Sequence, residues 1–196
     1  MIMYNNKYTK YKINELNHFW MYMFLFSFIV MQLLEFLMWK NIGNKFYNKI
    51  ISICIIILIV FIQPLVSLMN INDNDNLRKK LLKVYIFLSC FYALFFYSNY
   101  NIHTEITKGK HLNWRITPYN KIFALFLGVI WLFFFLYSFY HNKYWLGLIF
   151  GLVTFGLSTY NYFEDKSISS NWCWIVNTIM LFYAYKLLFY LPYKLG

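Results

Sequence analysis

Phe19-Trp20-Met21-Tyr22-Met23-Phe24-Leu25-Phe26-Ser27-Phe28-Ile29-Val30-Met31-Gln32-Leu33-Leu34-Glu35-Phe36-Leu37-Met38-Trp39 carries two strongly polar side chains, Gln32 and Glu35. A helix rises about 1.5 Å per residue, so such a run covers the roughly 30 Å of a bilayer's hydrocarbon core. The stretch reads as a retained first membrane span, because no small-residue cleavage site follows its apolar core. Glu35 stands three residues after Gln32 and four before Trp39, which places the three on one helical face.

Five further apolar runs follow, over 50–69, 81–98, 122–140, 144–160 and 172–191. With 19–39 they make six expected spans in a single transmembrane domain covering 1–196. The runs are continuous rather than alternating, and backbone groups in lipid must be satisfied within their own segment. The expected fold is therefore an all-α, polytopic integral membrane bundle without strands.

Composition agrees. The 196 residues are 61% hydrophobic and 13% charged, whereas soluble domains carry about 25% charged residues. Such a chain cannot cover itself with polar surface, and its expected partner is the lipid bilayer. The net charge of +11 would suggest nucleic acid in a soluble protein. Here the basic residues sit between apolar runs, where they meet anionic headgroups, and no nucleic-acid motif accompanies them. Phe, Tyr, Ile, Asn and Lys have AT-rich codons, so the aromatic excess carries no functional weight. Cys54, Cys90 and Cys173 all lie in apolar runs and read as small buried hydrophobes.

Between the runs, His141-Asn142-Lys143 forces a tight antiparallel hairpin. The connector 99–121 is long enough to suggest a function or an interfacial segment, and Thr117-Pro118 ends it. Gly147 and Gly151 form G-x-x-x-G, with Ala124 and Gly128 repeating the spacing one run earlier. This suits packing within that hairpin first and a homo-oligomer contact second. Pro64 frees a carbonyl within the second span, which Gln63 or Ser67 could satisfy.

Six alternating crossings put the end of the first span, the long connector and the start of the sixth on one side. Glu35, Asn177 and the connector's His103, Glu105, His111, Trp114 and Arg115 would then share one leaflet. An ionisable residue within a span faces protein and seeks partners. The expected ligand-binding set is Gln32, Glu35, His111, Arg115 and Asn177, walled by Trp39, Trp114 and Trp174. Trp114, Trp172 and Trp174 also suit an interfacial belt with their N–H groups toward water. Asn177 suits a helix–helix bridge.

The motifs Q-x-x-E-x-x-x-W at 32–39, H-L-x-W at 111–114 and W-C-W-x-x-N at 172–177 carry a resemblance. The chain resembles a family of small multi-pass membrane proteins of large (giant) DNA viruses with distant bacterial relatives. The resemblance implies a membrane location and a shared polar cluster, and brings no activity with it.

Three functions remain open. The first is binding or transport of a small ligand or cation around Glu35. The second is a membrane-embedded, lipid-active metal hydrolase using His103, His111 and Glu35. The superfamily containing alkaline ceramidases uses seven helices with a Ser, an Asp and three His around zinc. This chain departs from it with six runs and no H-x-x-x-H in the last. The third is a structural membrane component whose polar cluster holds helices together. No G-x-S-x-G and no H-E-x-x-H is present, so no catalytic residue is assigned.

Overall fold

The computed structural model describes residues 10–99, 102–115 and 121–195. It contains six long helices: α1 (Phe19–Asn41), α2 (Lys45–Met69), α3 (Asp75–Asn99), α4 (Lys121–His141), α5 (Trp145–Tyr162) and α6 (Ile168–Leu195). Four of these, α1, α2, α4 and α6, are long and apolar enough to cross a membrane. This count is of the described residues. The first turns of α3 hold Asp75, Arg78, Lys79, Lys80 and Lys83, and α5 ends in the more polar Ser158-Thr159-Tyr160-Asn161-Tyr162.

The expectation of a strand-free chain needs correction. Between α3 and α4, β1 (Glu105–Ile106) pairs antiparallel with β2 (Leu112–Asn113), in the register Glu105↔Asn113 and Ile106↔Leu112. A Thr107–Lys110 turn closes this small hairpin, and Lys110 takes a left-handed φ of 60°. Along β2 Leu112 is buried and the next residue, Asn113, half-buried. Thr117-Pro118 lies outside the described residues.

Helix boundaries follow local chemistry. The expected polar turn before 50 is mostly helix, because the Asn44 side chain accepts hydrogen bonds from the Phe46 and Tyr47 N–H groups and starts α2 at Lys45. Likewise α3 begins at Asp75 and α6 at Ile168, both ahead of their apolar runs. The tight turn after α4 is present, with Lys143 in the left-handed region. Gly147 and Gly151 pack within the chain. A Cβ at Gly147 would stand 2.5 Å from the Phe139 ring, and one at Gly151 2.8 Å from a Leu136 methyl.

The centre of the bundle is organised by Pro64. A proline has no N–H to give the carbonyl four residues back. The helix answers with a π-turn over Ile57–Ile62, in which the Gln63 N–H bonds the Leu58 carbonyl. Two carbonyls, of Ile59 and Val60, are thereby left without main-chain donors in the usual register. Side chains from two other helices supply them. The Trp131 indole on α4 donates to Ile59 O at 2.9 Å, and the Tyr85 hydroxyl on α3 donates to Val60 O. The expectation that Gln63 or Ser67 would do this is corrected. Ser67 instead donates to Phe135 O at 2.5 Å and meets the Ser138 hydroxyl at 2.8 Å, joining α2 to α4.

Apolar packing fills in around these bonds. Met21, Phe24, Leu25, Phe28, Met31, Glu35 and Met38 recur every three or four residues on α1 and form its buried stripe. One half packs on Phe135, Leu136 and Phe139 of α4 and on Trp172, Val176 and Tyr183 of α6. The other half meets Ile51, Ile55 and Leu58 of α2, Cys173 of α6, and Leu112 and Trp114 of the hairpin.

Replacing Tyr85 by Phe should lower stability by about 1–3 kcal/mol, the cost of a buried carbonyl left without a donor. In a Pro64→Ala background the same replacement should cost less, since residue 64 regains an N–H for Val60 O. Thermal unfolding of the four chains as a double-mutant cycle reads the coupling.

Candidate functional site

Glu35 lies within the buried stripe of α1 at 1% exposure. Its Oε1 accepts a hydrogen bond from the Ser170 hydroxyl at 2.6 Å, and its Oε2 makes no hydrogen bond of good geometry. The Trp174 indole also reaches this carboxyl, and Cys173 lies close enough to feel its charge. The bond joins the last turns of α1 to the first turn of α6.

The other expected partners of Glu35 are placed elsewhere. Arg115 pairs with Glu105 through Nε (2.7 Å) and an Nη (2.5 Å), and His103 bonds the same carboxylate at 2.9 Å. Partial burial pushes the Glu105 carboxyl up, but the hydrogen bonds and charges of His103 and Arg115 outweigh it. The group is held below its ordinary value. The His111 ring packs edge-on against Tyr162, with centroids 5.1 Å apart. Gln32 sits half-buried at the margin of the α1 stripe with both side-chain amide atoms unpartnered. Asn177 interrupts α6 and buries an unpartnered Oδ1, so it does not serve as the expected helix bridge through that atom.

The tryptophans also differ from expectation. Trp39 and Trp174 are exposed, so neither walls an interior site. Trp114 and Trp172, two of the three assigned to an interfacial belt, are each 2% exposed. Trp172 donates to the Thr154 hydroxyl at 2.9 Å, whereas Trp114 Nε1 has no acceptor. Among the described residues no three His, Cys, Asp or Glu side chains gather closely enough to hold a metal. His103, His111 and Glu35 thus do not form the metal set that the hydrolase reading requires.

The hairpin reaches this region because α2 holds it. Asn48 donates to Thr104 O at 3.0 Å and accepts from Thr104 N–H at 2.9 Å, a reciprocal pair between a side chain and a backbone. The Thr104 and Ser52 hydroxyls meet at 2.8 Å. Gly109 at the hairpin tip lies so close to the Asp165 carboxylate that a Cβ there would collide with it.

What lies behind Ser170 is a cavity of about 510 Å³. Its walls come from the π-turn of α2, the middle of α3, the first half of α4, the end of α5, the start of α6 and strand β2. Ile59, Leu88, Leu127, Trp131 and Phe155 illustrate its mostly apolar lining. Ser170 and Cys173 line it while Glu35 does not. The carboxylate stands behind the wall and holds α6 in place. Two lining residues, Gln63 and Trp114, carry a buried N–H donor without a partner, on Nε2 and Nε1 respectively. Sequence reasoning gives Gln63 only a part in the Pro64 kink and gives the Ser167-Ile168-Ser169-Ser170 run no role. The serine density just before an apolar run was the available signal.

No family model matches the chain, and no curated protein and no solved structure matches it.

Two outcomes test this geometry. Ser170→Ala should destabilise by about 1–3 kcal/mol, because it leaves a buried carboxyl without its donor, while Ser170→Thr retains the bond. Thermal unfolding of both variants checks it. The lowered Glu105 value means its stabilisation is complete above the ordinary carboxylate range and is lost as pH falls through the folded value. Exchange protection of the hairpin amides should therefore drop in acid, and Glu105→Gln should flatten that dependence.

Proposed function

We propose that the protein is an integral membrane protein of six spans that binds an elongated apolar molecule in the cavity between α2, α3, α4 and α6, without chemically changing it. The cavity itself carries the reading. At about 510 Å³ it falls within the range of small-molecule sites, roughly 300–1,000 Å³, and it shares their mostly apolar lining with a few polar groups.

The distribution of side chains supports the membrane part. Phe26, Ile29, Leu33 and Phe36 on α1, Phe87 and Leu94 on α3, and Leu152 and Val153 on α5 all face outward. Ser27, Glu35, Ser52, Gln63, Ser67, Ser138 and Ser158 are buried. Water would not tolerate so broad an apolar exterior, and lipid would. The charged first turns of α3 then lie at headgroup level. Within this reading Glu35 positions the wall of the site and is not its ligand-contacting group.

Gly128 offers a way to close the cavity. It lines the wall, and a Cβ there would meet the Phe155 ring edge at an ordinary 3.9 Å. With the full chain in phosphatidylcholine nanodiscs, dibrominated stearyl alcohol should quench the fluorescence of Trp131 and Trp172, which line the cavity. Gly128→Phe should remove that saturable quenching and keep the helical circular dichroism. Equal quenching in both chains would reject the proposal.

A further inference from the structure

We infer that the occupant of this cavity is a neutral single-chain lipid whose polar end is a hydroxyl, held at the π-turn of α2 by the Gln63 amide and the Tyr85 phenol. The inference rests on the ligand-binding reading above and adds the chemical class of the ligand.

Hydrogen bonding at that turn leaves a remainder. The Trp131 indole N–H is spent on Ile59 O and the Tyr85 O–H on Val60 O. Gln63 is 1% exposed, and its buried Nε2 has no partner. It stands three residues after Val60 on α2, and Val60, Gln63 and Tyr85 all line the cavity. A primary amide carries N–H donors, and a phenol that gives its proton away keeps lone pairs to accept with. The same turn of α2 therefore presents one unspent donor and one oxygen able to accept. An amide buried among apolar side chains without a partner is costly, and such groups are rare unless something satisfies them.

A hydroxyl meets both needs, accepting from Gln63 Nε2 and donating to the Tyr85 oxygen. A ketone or ether oxygen would satisfy the donor alone, and an ammonium the acceptor alone. A carboxylate would bring a charge to a wall that holds no counter-charge. Among the described residues, those lining the cavity from α2, α3 and α4 are all uncharged. Taking an unpaired charge out of water costs more than one or two hydrogen bonds return. Beside the turn, Leu88 and Phe91 on α3 and Leu127 and Ile130 on α4 are apolar walls, which suit an unbranched hydrocarbon chain.

The test ranks four probes on the full chain in phosphatidylcholine nanodiscs, each at a known mole fraction in the lipid. They are dibrominated stearyl alcohol, its methyl ether, dibrominated octadecane and, at about pH 9 where the acid is ionised, dibrominated stearate. The alcohol should reach half-maximal tryptophan quenching at a mole fraction about tenfold lower than the hydrocarbon, as satisfying a buried donor requires. The ether and the stearate should lie nearer to the hydrocarbon than to the alcohol. Gln63→Met, close in shape but without the amide, should bring the alcohol to the hydrocarbon's level. Equal potency of alcohol and hydrocarbon would overturn the hydroxyl and leave the ligand-binding reading standing. An ether as potent as the alcohol, or a stearate more potent, would do the same. A Gln63→Met chain that keeps the alcohol's advantage would overturn the placement at the π-turn. No saturable quenching by any probe would end both readings. Should Gln63→Met fail to fold, the ranking in the unmodified chain decides alone.

Discussion

A helix that contains a proline must find donors for carbonyls its own backbone has abandoned, and the bundle is built around that need. Pro64 and its π-turn release the carbonyls of Ile59 and Val60, and Trp131 and Tyr85 arrive from separate helices to bond them. In an apolar interior an unpaired carbonyl is costly, so these two bonds specify position as much as they add stability. They fix α3 and α4 to the same turn of α2. The cavity opens beside that turn, with Ile59, Val60 and Gln63 on its floor and Tyr85 and Trp131 on its sides. The same device recurs near the end of the chain, where a π-turn over Lys186–Tyr190 precedes Pro192 and the Leu191 N–H bonds Lys186 O.

Much of the fold was legible because continuous apolar runs leave few options. The six helices, the short turn at His141-Asn142-Lys143 and the close α4–α5 packing at Gly147 and Gly151 all follow from run length and small-residue spacing. The helix starts were less legible. The Asn44 cap and the charged opening of α3 lie outside the apolar runs, yet both belong to helices. The hairpin was invisible to a reading that weighed apolar continuity. Its strands are two residues each, too short for a periodic signal, and its order comes from Asn48 and Thr104, far apart in sequence.

The polar residues show the same division. That Glu35 would turn inward could be read from its place in an apolar helix. Its partner could not, because Arg115 and His111 looked chemically better than a serine. Arg115 was claimed by Glu105 within the hairpin, a contact between near neighbours that forms at little entropic cost. Ser170 won by position, since it lies in the first turn of α6 opposite the α1 stripe. Trp39 and Trp174 were assigned to an inner wall from spacing. The centre of the α1 stripe runs through Met31 and Met38 instead, which leaves Trp39 at its margin.

Helix α3 touches its neighbours most firmly at one level, where Tyr85 bonds α2 and its ring meets Phe134 of α4 at 5.0 Å. Past that level Leu88, Phe91, Tyr92 and Phe95 line the cavity from one side and Phe123 and Leu127 from the other. The seam between α3 and α4 is thus a line of side chains and not a backbone-bonded joint. On the proposed membrane reading, that seam faces acyl chains. A guest would come in sideways from the hydrocarbon, so its partitioning into the bilayer, and not its solubility in water, would set the concentration the protein experiences.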